Sequence, residues 1–292
     1  MKLYRLKGAW LCMAALCVCA PAIARGDDIA ARELVVGMGR YDVELNPYKS
    51  IYAHEMQLFT ALYEGLFSYD PQSLDPVRAQ AEAFEKSADG KTWTFTIRSD
   101  ARWADGTPVT AGDFVESWLY LLSPRTRAEY AVFFDIIKGA KAYRTGKSRS
   151  PESVGLRAPD DRTLVVELVS PAAYFTRLLC HSAFVPVHAS LRGTRTWAPE
   201  AVVGNGPYAI EAMDEGSMLL RRNPDYWDAG NVAVGAIRVL FLDSEEDATR
   251  RYDEGEIQWL TDMADLDALV STDSVQFAPM FATGYYFWNS SR

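Results

Sequence analysis

The chain has 292 residues, of which 49% are hydrophobic and 24% charged, and its formal net charge at pH 7 is −9. This is the composition of an ordinary globular protein with enough apolar residues for a sizeable core. The negative charge argues against a nucleic-acid-binding protein, because phosphate backbones are bound by basic surfaces.

Residues 1–24 have the features of a signal peptide. Three basic residues stand at its start, an apolar stretch covers 8–18, and Ala22-Ile23-Ala24 offers a small-residue cleavage site. We therefore expect export to the periplasm or the cell envelope, with a mature chain three units more negative. No later segment approaches the roughly 20 apolar residues that a membrane-spanning helix needs.

Cysteine usage fits the same division of the chain. Three of the four cysteines lie in the leader, so the exported chain keeps only Cys180 and cannot form an internal disulfide. Lipidation of Cys19, which would anchor the protein to a membrane, is the alternative processing route. Val18 is bulky where such signals carry a small residue, so a soluble exported form is favoured. Cys180 is interpreted as a buried apolar filler.

The exported chain opens with a strand and a helix. Glu33–Met38 is a short β-rich run that predicts a buried strand. Asn46-Pro47 then marks a turn. Apolar residues recur at helical spacing over 51–63, which predicts a helix that ends at Gly65.

The next segment carries two local signals. Thr92–Ile97 alternates polar and apolar residues, which predicts a strand covered on one face, and Asp89-Gly90 before it indicates a hairpin. Thr110 stands three residues ahead of Asp113, the spacing of a capping box, and predicts a helix over 113–122.

The remaining segments alternate between helix and strand without a regular βαβ rhythm, which predicts a mixed α/β fold rather than a doubly wound sheet. Asp214-Glu215-Gly216 has the composition of a hairpin turn. Ser244 and Gly255 have the residue types of a helix start and stop. Helices are predicted at 133–143, 172–179 and 244–252, and strands at 163–169, 208–212, 218–222, 236–242, 257–260, 275–278 and 284–288.

Two longer stretches carry a recognisable pattern. The first is DGKTWTFTIR at 89–98 with WADGTPVTAGDF at 103–114, and the second is VGNGPY at 203–208, closed by RNPDYW at 222–227. In order and spacing they resemble the signature of the family 5 extracellular solute-binding proteins, the oligopeptide, dipeptide and nickel receptors of ABC importers. Two positions depart from the family pattern, since Asn205 replaces a usual Thr and Tyr120 a common Arg.

The resemblance implies a periplasmic-binding-protein-like type II lobe of cluster C. In this interpretation 25–63 and 188–292 form the core of lobe I, and 64–187 form a subdomain inserted in it. Only the first lobe of the family is covered, so we expect the second lobe to be absent from this chain. A truncated product, a receptor split over two chains and a lobe reused as an interaction surface all remain open, and the coding region downstream of Arg292 would distinguish them.

The function implied by the resemblance is that of an exported solute-binding component of an ABC importer, for oligopeptides in the first instance. Its partners would be the peptide, the permease subunits and, for a split receptor, a separate second-lobe chain; no cofactor is implied. Two lobes close over the ligand in such receptors, so we expect one lobe to bind weakly or not at all. The alternative is a surface-exposed interaction or adhesion protein, which would expose a large apolar patch.

The resemblance also names candidate ligand contacts. The loop that follows Asn46-Pro47 matches the segment that faces the cleft in the family, and Tyr130 falls where peptide-binding relatives place a tyrosine against the ligand. Ile51 stands where the best-known peptide receptors have an acidic residue. A partly exposed packing role fits Tyr130 equally well. The candidate ligand-binding residues are Tyr48, Ile51, Tyr52, Ala53 and Tyr130.

An enzyme is the least favoured class. His54, His181 and His188 are the only histidines, and their spacing is not that of metal ligands or of a catalytic pair. Asp105 and Asp113 are explained by a turn and a helix cap rather than by acid/base chemistry. We therefore expect no catalytic residue and no metal site; a hydrolase would require activity that is lost on replacing His54 or His181.

Overall fold

The structure is a computed structural model that describes four stretches of the chain: residues 33–194, 196–271, 273 and 275. The predicted signal peptide, Cys19 and the strand predicted at 284–288 lie outside these residues. So does the strand predicted at 275–278, apart from Val275.

Eleven strands and five α-helices occur within the described residues. The strands are β1 (Glu33–Gly39), β2 (Phe67–Tyr69), β3 (Pro76–Arg78), β4 (Ala81–Lys86), β5 (Thr92–Ile97), β6 (Leu156–Arg157), β7 (Thr163–Glu167), β8 (Tyr208–Met213), β9 (Ser217–Arg222), β10 (Ala236–Leu242) and β11 (Trp259–Leu260). The helices are α1 (Ala53–Leu62), α2 (Ala111–Leu122), α3 (Ala140–Arg144), α4 (Phe175–Leu178) and α5 (Glu245–Asp253).

Most strands belong to two sheets. A five-stranded sheet has the order β11-β1-β10-β9-β8, a four-stranded sheet has the order β4-β5-β7-β6, and β2 pairs with β3. In the larger sheet β1 runs parallel to β10 and to β11, whereas β8, β9 and β10 are antiparallel. The carboxyl ends of β11, β1 and β10 therefore meet at one edge, the position at which open α/β sheets bind ligands.

The two sheets draw on different parts of the chain. The larger one uses 33–39 and 208–260, and the smaller one lies wholly within 81–167. A single buried core nevertheless runs through both, with Met38 from the larger sheet and Trp93 from the smaller one in the same cluster. The division of the chain at 64 and 187 remains a prediction.

Local signals in the sequence are confirmed where the predicted strand is amphipathic. In β5 the side chains of Trp93, Phe95 and Ile97 are buried while the threonines between them are half-buried. Asp89-Gly90 lies in the hairpin that joins β4 to β5, where Gly90 has a φ of +70°. The partner strand β4 was not predicted, because its outer residues are exposed and show no alternation.

The capping box is confirmed by its two reciprocal hydrogen bonds. The Thr110 hydroxyl accepts from the Asp113 amide at 3.2 Å, and the Asp113 carboxylate accepts from the Thr110 amide at 2.9 Å. α2 begins at Ala111, two residues before the predicted start, because Asp113 occupies the third helical position. The helix packs on β7 and buries Trp118.

The single helix predicted at 133–143 is wrong. The chain instead forms a 3₁₀ segment at Glu129–Ile136 and the short helix α3, with Gly139 between them. Gly139 has a φ of +75°, and a Cβ there would lie 2.0 Å from the carbonyl oxygen of Ser153. This close approach of backbone needs glycine and interrupts the helix.

Two further helices differ from prediction in their bounds. α1 ends at Leu62 rather than near Gly65, because Tyr63 already has an extended backbone. Of the helix predicted at 172–179 only the four residues of α4 are helical. By contrast the start of α5 is close to the prediction: Ser244 is its N-cap, and the Ser244 hydroxyl accepts from the Asp247 amide.

Candidate ligand-binding surface

Glycines of the second signature stretch hold the carboxyl end of α1. The Gly206 amide donates to the Leu62 carbonyl at 3.0 Å. A Cβ at Gly204 would lie 2.1 Å from the Leu62 oxygen, and one at Gly206 would lie 2.7 Å from the Leu62 carbonyl carbon. Only glycine allows the two backbones to approach this closely.

Asn205, between these glycines, binds the next residues of the helix end. Its Oδ1 accepts from the Glu64 amide at 3.0 Å, and its Nδ2 donates to the Glu64 carbonyl at 2.8 Å. The side chain is 0% exposed. Asn205 thus pairs both backbone groups of Glu64, two residues beyond the end of α1.

The half-buried Glu64 carboxylate joins residues near both signature stretches. It accepts from the Tyr226 hydroxyl at 2.5 Å, from Trp227 Nε1 at 2.7 Å and from Gln80 Nε2 at 2.7 Å. Arg98 lies over the Trp227 ring, 3.5 Å from its centroid. Burial raises the pKa of Glu64, and the three hydrogen bonds partly oppose that rise. The signature residues therefore act as scaffold.

At its other end, α1 receives a loop that is fixed by its own polar side chains. The buried Glu55 carboxylate accepts from the Glu44 amide at 2.8 Å and from the Ser50 hydroxyl. Asn46 Oδ1 accepts from the Tyr48 amide at 3.0 Å. The loop that leads into α1 is therefore held in one conformation before any ligand arrives.

Of the predicted contacts, Tyr48 is a core residue. Its side chain is 1% exposed, and its hydroxyl donates to the Val185 carbonyl at 2.8 Å. Burial raises the pKa of the Tyr48 hydroxyl well above its usual value. The Tyr48 side chain has no surface to offer a ligand, which corrects that part of the prediction.

Ile51, Tyr52 and Ala53 lie on the surface. The side chain of Ile51 is 48% exposed and that of Tyr52 is 57% exposed, and Ala53 at the start of α1 is also exposed. These three neighbours form an exposed patch where the loop meets α1, so their side chains are accessible to a ligand.

Tyr130 is brought next to this loop. The Glu129 amide donates to the Tyr48 carbonyl at 3.2 Å. The Tyr130 ring itself is half-buried and packs on Phe133 at a centroid distance of 5.1 Å and on His181 at 4.7 Å. Burial lowers the pKa of His181 to about 4, so the imidazole is neutral at pH 7.

Two residues that the sequence did not single out as contacts join the patch. The ring of His54 stacks on Tyr41 at a centroid distance of 4.0 Å and an interplanar angle of 19°, and on Tyr52 at 5.4 Å and 14°. We call Tyr41, His54 and Tyr52 the aromatic stack. Tyr41 lies 11 and 13 residues before the other two, beyond a turn and outside α1, so no local pattern in the sequence could have joined it to them.

The aromatic stack lies at the carboxyl edge of the parallel strands. Tyr41 follows β1, and its hydroxyl donates to Asp262 Oδ2 at 2.9 Å just beyond β11. Asp262 Oδ1 also accepts from the Gly39 amide at 3.0 Å. Arg40 pairs with Asp243, beyond β10, at 2.7 Å. The stack thus occupies the edge at which this class of sheet binds ligands.

The other polar side chains considered for chemistry have local roles. Asp105 Oδ1 accepts from the Thr107 amide at 2.9 Å, which is the predicted turn, and Asp105 Oδ2 lies 3.6 Å from His188 Nε2. His181 accepts from the Ala183 amide at 3.1 Å. Burial raises the pKa of the half-buried Cys180 to about 12, so it is a neutral thiol.

Across 33–194 and 196–271, no group of three or more His, Cys, Asp or Glu side chains is arranged to hold a metal ion. In the same part of the chain none of the helices has the length and apolar character that crossing a membrane requires.

This chain is similar in sequence to known bacterial solute-binding proteins. The family profile described as "Bacterial extracellular solute-binding proteins, family 5 Middle" matches residues 75–292. The murein peptide-binding protein MppA of Escherichia coli K12 is 33% identical over 276 residues, which are 89% of this chain and 50% of MppA. The oligopeptide-binding protein OppA of Bacillus subtilis is 35% identical over 202 residues, 68% of this chain and 37% of OppA. The chain spans about half the length of the relatives it matches or less.

The fold of this chain is also similar to solved structures of peptide-binding proteins. The E. coli murein tripeptide binding protein MppA superposes with a TM-score of 0.73 at 34% identity, over 78% of this chain and 45% of that protein. Haemophilus influenzae OppA, solved in complex with the peptide RPPGFSPFR, has a TM-score of 0.71 at 29% identity, again over 78% and 45%. The mixed α/β, periplasmic-binding-protein-like fold is confirmed.

Proposed function

The chain belongs to the bacterial extracellular solute-binding proteins of family 5, and we propose that it is the exported ligand-recognising component of an ABC importer for oligopeptides. Its partners in this role are a peptide and the permease subunits of the importer. The observation that carries the proposal is the family match over 75–292, together with peptide-binding relatives at 31–35% identity. We propose no catalytic role.

The proposed ligand surface consists of Ile51, Tyr52 and Ala53, with Tyr130 and the aromatic stack beside them. An extended peptide can lie across such a surface and form hydrogen bonds with main-chain groups of the loop, because backbone recognition is common to all peptides. Ile51 gives this end of the surface an apolar character. Side-chain preference would then come from the exposed aromatic and aliphatic groups.

We further propose that this chain alone binds its ligand weakly. Its candidate surface is open, with Ile51 and Tyr52 about half exposed. A flexible peptide held on one side loses conformational freedom without the burial that would offset this loss. Tight binding would need a second lobe, supplied by the rest of a longer protein or by a separate chain. Retention at the membrane through Cys19 is the alternative to release as a soluble protein.

Two measurements test the proposal. Isothermal titration of the chain with a mixture of tripeptides is expected to give no heats, and micromolar or tighter binding would contradict the weak half-site. Saturation-transfer NMR detects millimolar binding, and at millimolar trialanine we expect transfer to the peptide protons. Maltose is the control and should receive none. Equal transfer to both ligands, or none to trialanine, would contradict a peptide receptor.

A further inference from the structure

We infer that the aromatic stack of Tyr41, His54 and Tyr52 is a ligand subsite that selects peptides carrying an aromatic side chain. The inference rests on the proposed function, since it names the kind of peptide that the same surface would prefer. Of the three residues, the family resemblance names only Tyr52 as a candidate contact; Tyr41 and His54 are joined to it by their stacking in the structure.

Both end members of the stack are exposed, and Tyr52 is more exposed than Tyr41. The rings lie nearly parallel, at 19° and 14°, so each presents a flat face to the next. Tyr52 is more than half exposed. An aromatic ring of a ligand can extend the row by stacking on Tyr52 in the offset geometry that such pairs prefer, with centroids about 4.5–7 Å apart.

The stack is held in place before a ligand arrives. The hydroxyl of Tyr41 is tied to Asp262, and its ring lies across the backbone of Gly39, where a Cβ would approach the ring carbon Cζ to 2.8 Å. Tyr52 is the residue before α1, and its carbonyl accepts from the Met56 amide at 3.2 Å. Rigid aromatic side chains contribute contact area at a low entropic cost.

The chemistry around the stack favours a flat apolar group over an anionic one. Ile51 adds an exposed aliphatic side chain next to Tyr52. The Asp262 carboxylate accepts from the Tyr41 hydroxyl, the Gly39 amide and the Thr261 hydroxyl, and its negative charge disfavours a ligand carboxylate beside Tyr41. A tripeptide that carries an aromatic side chain and no acidic side chain suits both the apolar surface at Ile51 and the negative charge of Asp262.

The test compares Ala-Phe-Ala with trialanine by saturation-transfer NMR on the full chain. We expect Ala-Phe-Ala to bind about three- to tenfold more tightly and its ring protons to receive the largest transfer. Tyr52→Ala should abolish this preference, whereas Tyr52→Phe should retain it. Tyr174→Ala, at a similarly exposed tyrosine before α4, is the matched control and should leave the preference unchanged.

The outcomes separate the subsite from the proposed function. Equal binding of the two peptides, or a preference that survives Tyr52→Ala, overturns the subsite while peptide binding stands. No transfer to either peptide overturns the proposed function and the subsite with it. Self-association in sedimentation that Tyr52→Ala removes would show that a second copy covers the stack, which also overturns the inference.

Discussion

Replacing Asn205 by Ala tests whether the second signature stretch fixes the carboxyl end of α1. We call the hydrogen bonds from Gly206 and Asn205 to Leu62 and Glu64 the clamp. The substitution removes both hydrogen bonds to Glu64, at 3.0 and 2.8 Å, from a side chain that is fully buried. Each lost bond should cost about 1–2 kcal/mol, because Glu64 is left with an unpaired amide and an unpaired carbonyl where water has little access. We expect a loss of about 2–4 kcal/mol in the free energy of unfolding.

Urea unfolding followed by tryptophan fluorescence measures this loss, with an unchanged dependence on denaturant showing that the folded state stays compact. Asn231→Ala is the matched control, since Asn231 is exposed and bonds only locally to Asp228, and it should change stability by less than about 0.5 kcal/mol. Asn205→Thr should lose less stability than Asn205→Ala and more than Asn231→Ala, because one hydroxyl can replace one of the two hydrogen bonds. An Asn205→Ala loss no larger than that of the control would refute the clamp.

Three further substitutions probe the scaffold by the same unfolding measurement. Thr110→Ala removes one half of the capping box with Asp113 and should cost about 1 kcal/mol; no loss would mean that α2 does not need its cap. Gly204→Ala places a Cβ 2.1 Å from the Leu62 oxygen and should cost more than about 2 kcal/mol, so a neutral result would contradict the close approach. The folded-state pKa of Glu64 is raised, so its contribution to stability is full below about pH 4.5 and falls as pH rises through the folded pKa. Glu64→Gln should flatten this part of the pH–stability curve. A curve identical to that of the parent would contradict a raised pKa of the Glu64 carboxyl in the folded state.

Much of the fold could be predicted because its signals are local. The capping box of α2 needs only Thr110 and Asp113, three residues apart, and the alternation of β5 is complete within six residues. The helix predicted at 133–143 failed for the opposite reason. It is interrupted at Gly139 by the backbone of Ser153, a contact that local patterns cannot report.

The candidate surface shows the same limit. Resemblance directed attention to the loop before α1, and Ile51 and Tyr52 lie exposed there. It could not tell that Tyr48 points inward, because the partner of its hydroxyl, Val185, is 137 residues away. The resemblance also could not predict that Tyr41 contacts His54, because this stacking depends on where β1 ends relative to α1.

The positions of the signature and of the candidate surface have a consequence for specificity. The signature residues grip α1 at its carboxyl end, through Leu62 and Glu64, whereas the exposed residues stand at its amino end, from Ile51 to Ala53. The ten residues of α1 separate the two ends by about 15 Å. We therefore expect that substitutions at Ile51, Tyr52 or Ala53 can change the proposed ligand preference without disturbing the clamp, because these side chains share no hydrogen bond with Leu62 or Glu64. The signature identifies the family, and the ligand surface that we propose lies at the other end of the same helix.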